Sequence, residues 1–350
     1  FTKLYGYTLE EFKSEKCGNL FDCSDYDEIK EVANQCIETG ESVQYQFSAK
    51  TKHGKDIWAQ TTLTPYVDDE GNLIKLIAVD TDITINKKAE NEILKQRDEI
   101  TDSLFYAHRI QSALQPSDKL FTRLLDQHFI LNKPKSIVSG DFFWVAEKNG
   151  KIIITVADCT GHGVPGAFMS MLGISFLNKI VIEKGITRPS LILNSLRKNV
   201  IAALHQTGKE GEANDGMDMA LLSIDKEHEN VLYAGAMNPV FYITRKNKDI
   251  REVKPDRMPI CIHQNAETSF TDIEIPYSKD TVYYLFSDGY IDQFGGPENK
   301  RFNKQNFREL LVKIHSFSMK EQKDILNKTI EEWKRNQDQV DDILILGMMI

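Results

Sequence analysis

Four short segments of this chain each set an aspartate in a turn-prone context. They read Ser139-Gly140-Asp141, Ala157-Asp158-Cys159-Thr160-Gly161-His162-Gly163, Phe286-Ser287-Asp288-Gly289 and Val340-Asp341-Asp342-Ile343. Carboxylate oxygens are the ligands that hard cations such as Mg²⁺ and Mn²⁺ prefer. The last three segments flank strand-forming apolar runs, so strand ends can aim carboxylates from distant parts of the chain at one point. Several such ligands around one cleft would hold two metals and a bridging water. Each segment alone has a plainer explanation, because Asp and Gly suit turns for geometry alone. Gly161-His162-Gly163 could be a turn with a solvated histidine, and Asp341-Asp342 a solvated edge. The four together are much harder to dismiss.

The elements that must position these residues can be read around them. An apolar strand, Ile152 to Ala157, delivers Asp158 to a glycine-rich turn, and Val164-Pro165 then opens a helix, with Pro suited to its first turn. The free N–H groups of that helix start favour a phosphate. The main-chain carbonyl of Cys159 is a further candidate oxygen ligand, and its thiol need not take part. A second apolar strand ends at Ser287-Asp288-Gly289, and Asp341-Asp342 precede a last strand from Ile343 to Ile350. In an antiparallel sheet, strand exits and entrances share one end, so Asp158, Asp288 and Asp341 can converge there. Strands at 220–224, 231–234 and 240–243, joined by short turns, indicate antiparallel pairing. Helical stretches at 164–184, 189–205 and 304–333, the last broken near Ser316 to Ser318, then predict an α+β layered domain.

Ahead of this domain the pattern changes. Residues 1–85 read as a small mixed α/β unit in which Val43, Tyr45 and Phe47 alternate with polar residues, the mark of a half-buried strand. Turn signals at His53-Gly54 and Asp68-Asp69-Glu70-Gly71 separate two more strands, predicting a three-stranded antiparallel meander. Residues 86–116 form a helical linker to a domain at 117–350. Ile93, Ile100, Ala107 and Leu114 recur along it at seven-residue intervals, which suggests a coiled-coil-like seam. Arg97 and Gln111 interrupt the second stripe, so a plain connecting helix packed on a neighbour is the alternative to a dimer.

Bulk properties narrow the classes. A length of 350 residues predicts two domains. The net charge of −9 argues against nucleic acid as a partner, since phosphate backbones need clustered Lys and Arg. The five cysteines, Cys17, Cys23, Cys36, Cys159 and Cys261, are odd in number and lack Cys-x-x-Cys spacing, which favours a reducing cytoplasm over a disulfide framework or a zinc site. No apolar run is expected to reach the ~20 residues of a membrane span. The chain opens at Phe1 in what reads as mid-domain sequence, so the parent protein's upstream segments are left open.

Residues 118–350 resemble the PPM-type (protein phosphatase 2C-like), metal-dependent serine/threonine phosphatases of the SpoIIE-like bacterial branch. The resemblance rests on SGDFFW (139–144), ADCTGHGVPGAF (157–168), GMDMALLSID (216–225), AGAMNPVFY (234–242), LFSDGYIDQFGG (285–296) and DDILIL (341–346). It implies an α-β-β-α sandwich with two Mn²⁺ or Mg²⁺ ions in a cleft at one end. The ligands carried over are Asp141, Asp158, the Cys159 carbonyl, Asp288 and Asp341, with Asp342 either the true ligand or a supporting neighbour. His162 lies in the motif as a possible proton donor. Leu344 departs from the Thr often found after the paired aspartates, and Cys159 replaces a glycine of related eukaryotic enzymes.

The first 85 residues resemble the later part of a PAS sensor domain, on LYGYTLEEF (4–12) and the stretch from His53 to Thr84. Together the two resemblances imply a cytoplasmic, signal-regulated phosphatase, dimeric through the linker helix. Its substrate would be a phosphoserine or phosphothreonine protein such as a STAS-type anti-anti-sigma factor. A non-catalytic signalling module and a phosphohydrolase of small esters are the rival expectations.

Overall fold

A computed structural model describes all residues except 1, 9, 12–25, 126, 210–213, 246–248 and 265–266. Cys17 and Cys23 lie outside the described residues. Cys36, Cys159 and Cys261 are free and buried. The chain divides into two compact units, Phe1–Thr101 and Asp102–Ile350.

The first unit carries short helices at Thr2–Tyr5 and Tyr26–Thr39 and the strands β1 (Val43–Lys50), β2 (Asp56–Val67) and β3 (Leu73–Asp82). These pair antiparallel in the order β1-β2-β3, as the turn signals predict. Alternation places Phe47, Ala49, Ile57 and Ala59 on one face, where they bury Tyr5. A single 31-residue helix follows, Thr84–Leu114. It starts two residues before the expected linker boundary and stops just ahead of Pro116.

The second unit is a sandwich of two five-stranded antiparallel sheets. One holds β4 (Gln127–Lys133), β9 (Val240–Thr244), β10 (Ile250–Val253), β12 (Thr281–Phe286) and β15 (Ile343–Met349), in the order β10-β9-β12-β15-β4. The other holds β5 (Phe142–Lys148), β6 (Lys151–Cys159), β7 (Met217–Asp225), β8 (Asn230–Ala236) and β11 (Ile273–Ile275), in the order β11-β8-β7-β6-β5. Two further two-residue strands, β13 (Phe294–Gly295) and β14 (Lys300–Arg301), pair with each other.

Period-2 alternation sends each strand's side chains into two cores, which is why these strands read as unbroken apolar runs. Ile152, Ile154 and Val156 of β6 meet Tyr283, Leu285, Leu344 and Leu346 between the sheets. Ile153 and Ala157 face the other way, under the helices Val164–Leu177 and Pro189–Ala203. Val282, Tyr284 and Phe286 pack under the helices Lys304–Ile314 and Met319–Lys334. The layers are therefore α-β-β-α. Burying one Ile or Leu fully contributes roughly 1.5–3 kcal/mol, so three such cores hold the strand ends firmly in register.

One expectation needs correction. The helical segment Val164–Glu183 spans 20 residues with a mean hydropathy of 1.4, long and apolar enough to cross a membrane by composition. Half of it is buried, with Ala167, Met169, Ile174, Leu177, Ile180 and Val181 in the core beneath the β5–β8 sheet. The apolar excess is that of a helix covered by its own fold.

Candidate metal centre

Strand pairing explains how four separate segments meet. Asp158, next to last in β6, stands opposite Asp218 of β7. In the facing sheet, β12 and β15 run antiparallel with Phe286 opposite Ile345, so the residues leaving β12 lie beside those entering β15. The Ser287 amide donates to the Leu344 carbonyl at 2.9 Å. The turn at Gly289 has no room for a side chain, since an added Cβ would stand 2.0 Å from the Asp342 carbonyl oxygen. The two sheets thus present Asp158 and Asp218 on one side, and Asp288 and Asp341 on the other, to one cleft of about 260 Å³. Cys159, Thr160, Gly161, Asn214, Pro259 and Cys261 complete most of the wall.

The paired aspartates divide their work. Asp341 lines the cleft, and its Oδ1 accepts the Asp342 amide at 2.8 Å. Asp342 is 3% exposed and both its oxygens are taken by main chain: Oδ1 accepts the Lys135 amide and Oδ2 the Gly140 amide, each at 2.7 Å. Asp342 thus secures the 135–140 loop, and Asp341 is the one that faces the cleft. Asp141 lies deeper than the cleft lining and is 2% exposed. Ser287 Oγ donates to its Oδ2 at 2.5 Å and accepts the Leu344 amide at 3.0 Å, so Ser287 ties Asp141 to the facing sheet. Leu344 itself points into the core between the sheets, away from the carboxylates, and contributes here only its main chain. His162 is solvent-exposed and does not line the cleft.

Three residues went unread in the sequence. Asp218 lies within β7, flanked by Met217 and Met219 rather than by a turn glycine, and sits inside the GMDMALLSID segment. Ser287 and Asn214 carried no comparable signal.

The electrostatics are those of unneutralised acid. Burial first, then the charges of Asp288, Asp341 and Asp218, push the Asp158 carboxyl up to about 8. Burial and then Asp288 raise Asp218 to about 7. Burial, followed by Asp292 and Asp341, raises Asp288. Asp141 rises well above the carboxylate range through burial and the charge of Asp158.

Among the described residues no Lys, Arg or His lines the cleft to balance them, and no three His, Cys, Asp or Glu side chains already close around a single point. An all-oxygen donor set without a counter-charge fits Mg²⁺ or Mn²⁺. The thiols do not compete as ligands, because burial raises both Cys159 and Cys261 and so disfavours the thiolate.

A two-sheet, four-layer sandwich with carboxylates gathered at one end of the sheets defines the protein phosphatase 2C-type fold. The chain belongs to the SpoIIE family: residues 148–350 match the family described as Stage II sporulation protein E (SpoIIE). Residues 1–80 match the PAS fold. Among solved structures, the SiaA-PP2C domain of Pseudomonas aeruginosa is 30% identical, with a TM-score of 0.65, covering 73% of this chain and 98% of that one. The phosphatase domain and regulatory-domain fragment of SpoIIE from Bacillus subtilis is 16% identical with a TM-score of 0.52, covering 64% of this chain and 62% of that one, and shares the fold. The phosphoserine phosphatase RsbU of Bacillus subtilis (strain 168) is 27% identical over 167 residues, 46% of this chain and 45% of RsbU. The chain thus matches about half the length of that relative.

Proposed function

We propose that this chain is a metal-dependent phosphatase that removes phosphate from phosphoserine or phosphothreonine in a protein. The observation that carries the reading is the cleft where Asp158, Asp218, Asp288 and Asp341 meet with no basic side chain among the lining residues. A phosphate dianion would be repelled from such a wall unless cations entered with it. Two bound Mn²⁺ or Mg²⁺ ions would supply that charge and the acidity that activates water near neutral pH. Asp141, Asp158, Asp288 and Asp341, with the Cys159 carbonyl, would hold them, and Asp218 is positioned to join.

The chain's own residues do the remaining work. Ser287 holds Asp141 through its hydroxyl, and Asp342 fixes the preceding loop through two amides. Neither lining thiol is an activated nucleophile, because burial pushes both up. The reading takes water as the attacking group, without a phospho-enzyme. The relatives' phosphoserine chemistry and the PAS fold support a signalling role, with a phosphorylated STAS-type regulator as the substrate. The helix seam at Ile93, Ile100 and Leu114, all exposed, suits a second copy of the chain as its partner.

The test is phosphate release from a phosphoserine peptide over a Mn²⁺ titration, for this chain and for Asp158→Asn. Metal-dependent release that the substitution removes supports the reading. Metal binding without release from any phosphopeptide or small ester would make the domain a binding module instead.

A further inference from the structure

Between Thr84 and Leu114 the linker helix buries almost nothing. Ile85, Ile93, Leu94, Ile100, Phe105, Tyr106, Ile110 and Leu114 are all exposed. Beyond its first residue, Thr84, the helix has one buried side chain, Gln111 at 3% exposure. If that position served packing alone, an apolar residue would avoid the cost of burying an amide. Gln111 instead uses its whole amide. Its Nε2 donates to the Ser139 carbonyl at 2.6 Å and to Ser170 Oγ at 2.8 Å, and its Oε1 accepts the Ser139 amide at 3.2 Å.

What it grips is the start of the Asp141 segment. Ser139 is followed by Gly140, whose amide binds Asp342, and then by Asp141. Gly140 lies flush against the cleft turn: an added Cβ would stand 3.2 Å from the Cys159 carbonyl oxygen and 2.7 Å from that of Gly161. Ser170 belongs to the helix that leaves this turn, and its hydroxyl also donates to the Ala167 carbonyl at 2.9 Å. One amide therefore pins the Asp141 loop to the helix behind the Asp158–Gly161 turn. The same glutamine that breaks the apolar stripe in sequence is the point where the linker meets the site.

We infer that Gln111 is a positioning residue: its hydrogen bonds hold the Ser139–Asp141 loop in the place required for cation binding, so that displacing the end of the linker helix weakens the site. The inference rests on the metal-dependent reading above and adds the element that controls it. The experiment compares Mn²⁺ binding by calorimetry and amide hydrogen exchange in the metal-free chain for wild type, Gln111→Leu and Ser170→Ala. Gln111→Leu keeps the size and removes all three bonds; it is expected to weaken Mn²⁺ affinity by about 10-fold, the low end of what ligand-orienting groups contribute, and to speed exchange at Ser139 and Gly140. Ser170→Ala removes one bond and is expected to act in the same direction by a smaller factor.

Mn²⁺ affinity within twofold of wild type in Gln111→Leu overturns the inference, even if its melting temperature falls. If that variant does not fold, unchanged affinity in Ser170→Ala overturns it. Absence of Mn²⁺ binding by the wild-type chain would instead defeat the metal reading, and the exchange rates would still decide whether Gln111 holds the loop.

Discussion

At one end of the β6–β7 pair Lys151 stands opposite Asp225, and at the other end Asp158 stands opposite Asp218. The same two strands thus handle an acidic residue in two ways. Lys151 lies 3.4 Å from Asp225, and His228 caps the turn from both its amide and its ring. The amide of His228, above all, holds the Asp225 carboxyl below its ordinary range. At the far end burial and neighbouring acids raise both carboxyls, to about 8 and about 7. Like charges directly opposite one another destabilise a sheet. A fold that neutralises a carboxylate at one end and leaves two bare at the other has kept the second end for something positive.

The sharpest way to break this comparison is to remove the cation. Chelation of divalent ions should abolish phosphate release, and Asp158→Asn or Asp288→Asn should lower it by more than about 100-fold, beyond the effect of groups that only orient ligands. Far-ultraviolet circular dichroism should show both variants folded. Loss of structure in Asp288→Asn would mean that the residue holds the turn rather than the metal.

Asp342 tests the boundary between the two kinds of acid. It belongs to the bare end by sequence, yet two main-chain amides satisfy it. Asp342→Ala would leave the buried Gly140 amide unpaired and release the Lys135 amide of an exposed residue, at a cost of about 1–3 kcal/mol, read as a shift in the urea midpoint. Retention of wild-type stability would mean that water or neighbouring groups replace the carboxylate.

Binding energy should appear as stability at this end alone. Mn²⁺ at about 100 times its dissociation constant should raise the unfolding free energy by about 2.7 kcal/mol, measured as a higher melting temperature. The increment should survive in Asp225→Asn and vanish in Asp158→Asn. An equal increment in all three proteins would place the ion elsewhere.

Much of this was legible in the sequence because strand grammar is local. Unbroken apolar runs bounded by Asp and Gly located β6, β12 and β15; of the pairings expected from the short turns at 220–243, β7–β8 forms, but β9 crosses to the other sheet and pairs with β10 and β12 instead of β8. The division of labour between Asp341 and Asp342 was not legible, since it depends on amides of residues 135 and 140, some two hundred positions away. Asp218 was overlooked because it lies inside the apolar run of β7 rather than at a turn, and its meaning comes from Asp158 across the ladder. Gln111 looked like a flaw in a heptad stripe; only the packing of Ser139 and Ser170 against it gives it a role. The 164–183 helix shows the reverse case: it is more apolar than the sequence reading expected, and half of it is buried in the core.

The smallest expected effect is also the most direct reading of the ladder. In the metal-free chain, Asp218→Asn should raise stability at neutral pH by at least about 1 kcal/mol, because it removes a carboxylate whose charged form is disfavoured first by burial and then by Asp288. The sign follows from the raised carboxyl. A group whose folded value lies near 7 against an ordinary 3.8 favours the folded state fully only below the ordinary value, and that advantage is lost as pH climbs through the folded one. Asparagine imitates the protonated form at every pH, so the gain should be near zero at about pH 4 and complete above about pH 7. Asp225→Asn should do the opposite at neutral pH, a slight loss, since its carboxylate is the partner of Lys151 and His228. Saturating Mn²⁺ should then reverse the order at the site end and leave Asp225→Asn unchanged. Urea titrations of both variants at pH 4 and pH 8, with and without Mn²⁺, read all of these signs; a destabilised metal-free Asp218→Asn at pH 8 would show that its carboxylate is already balanced within the fold.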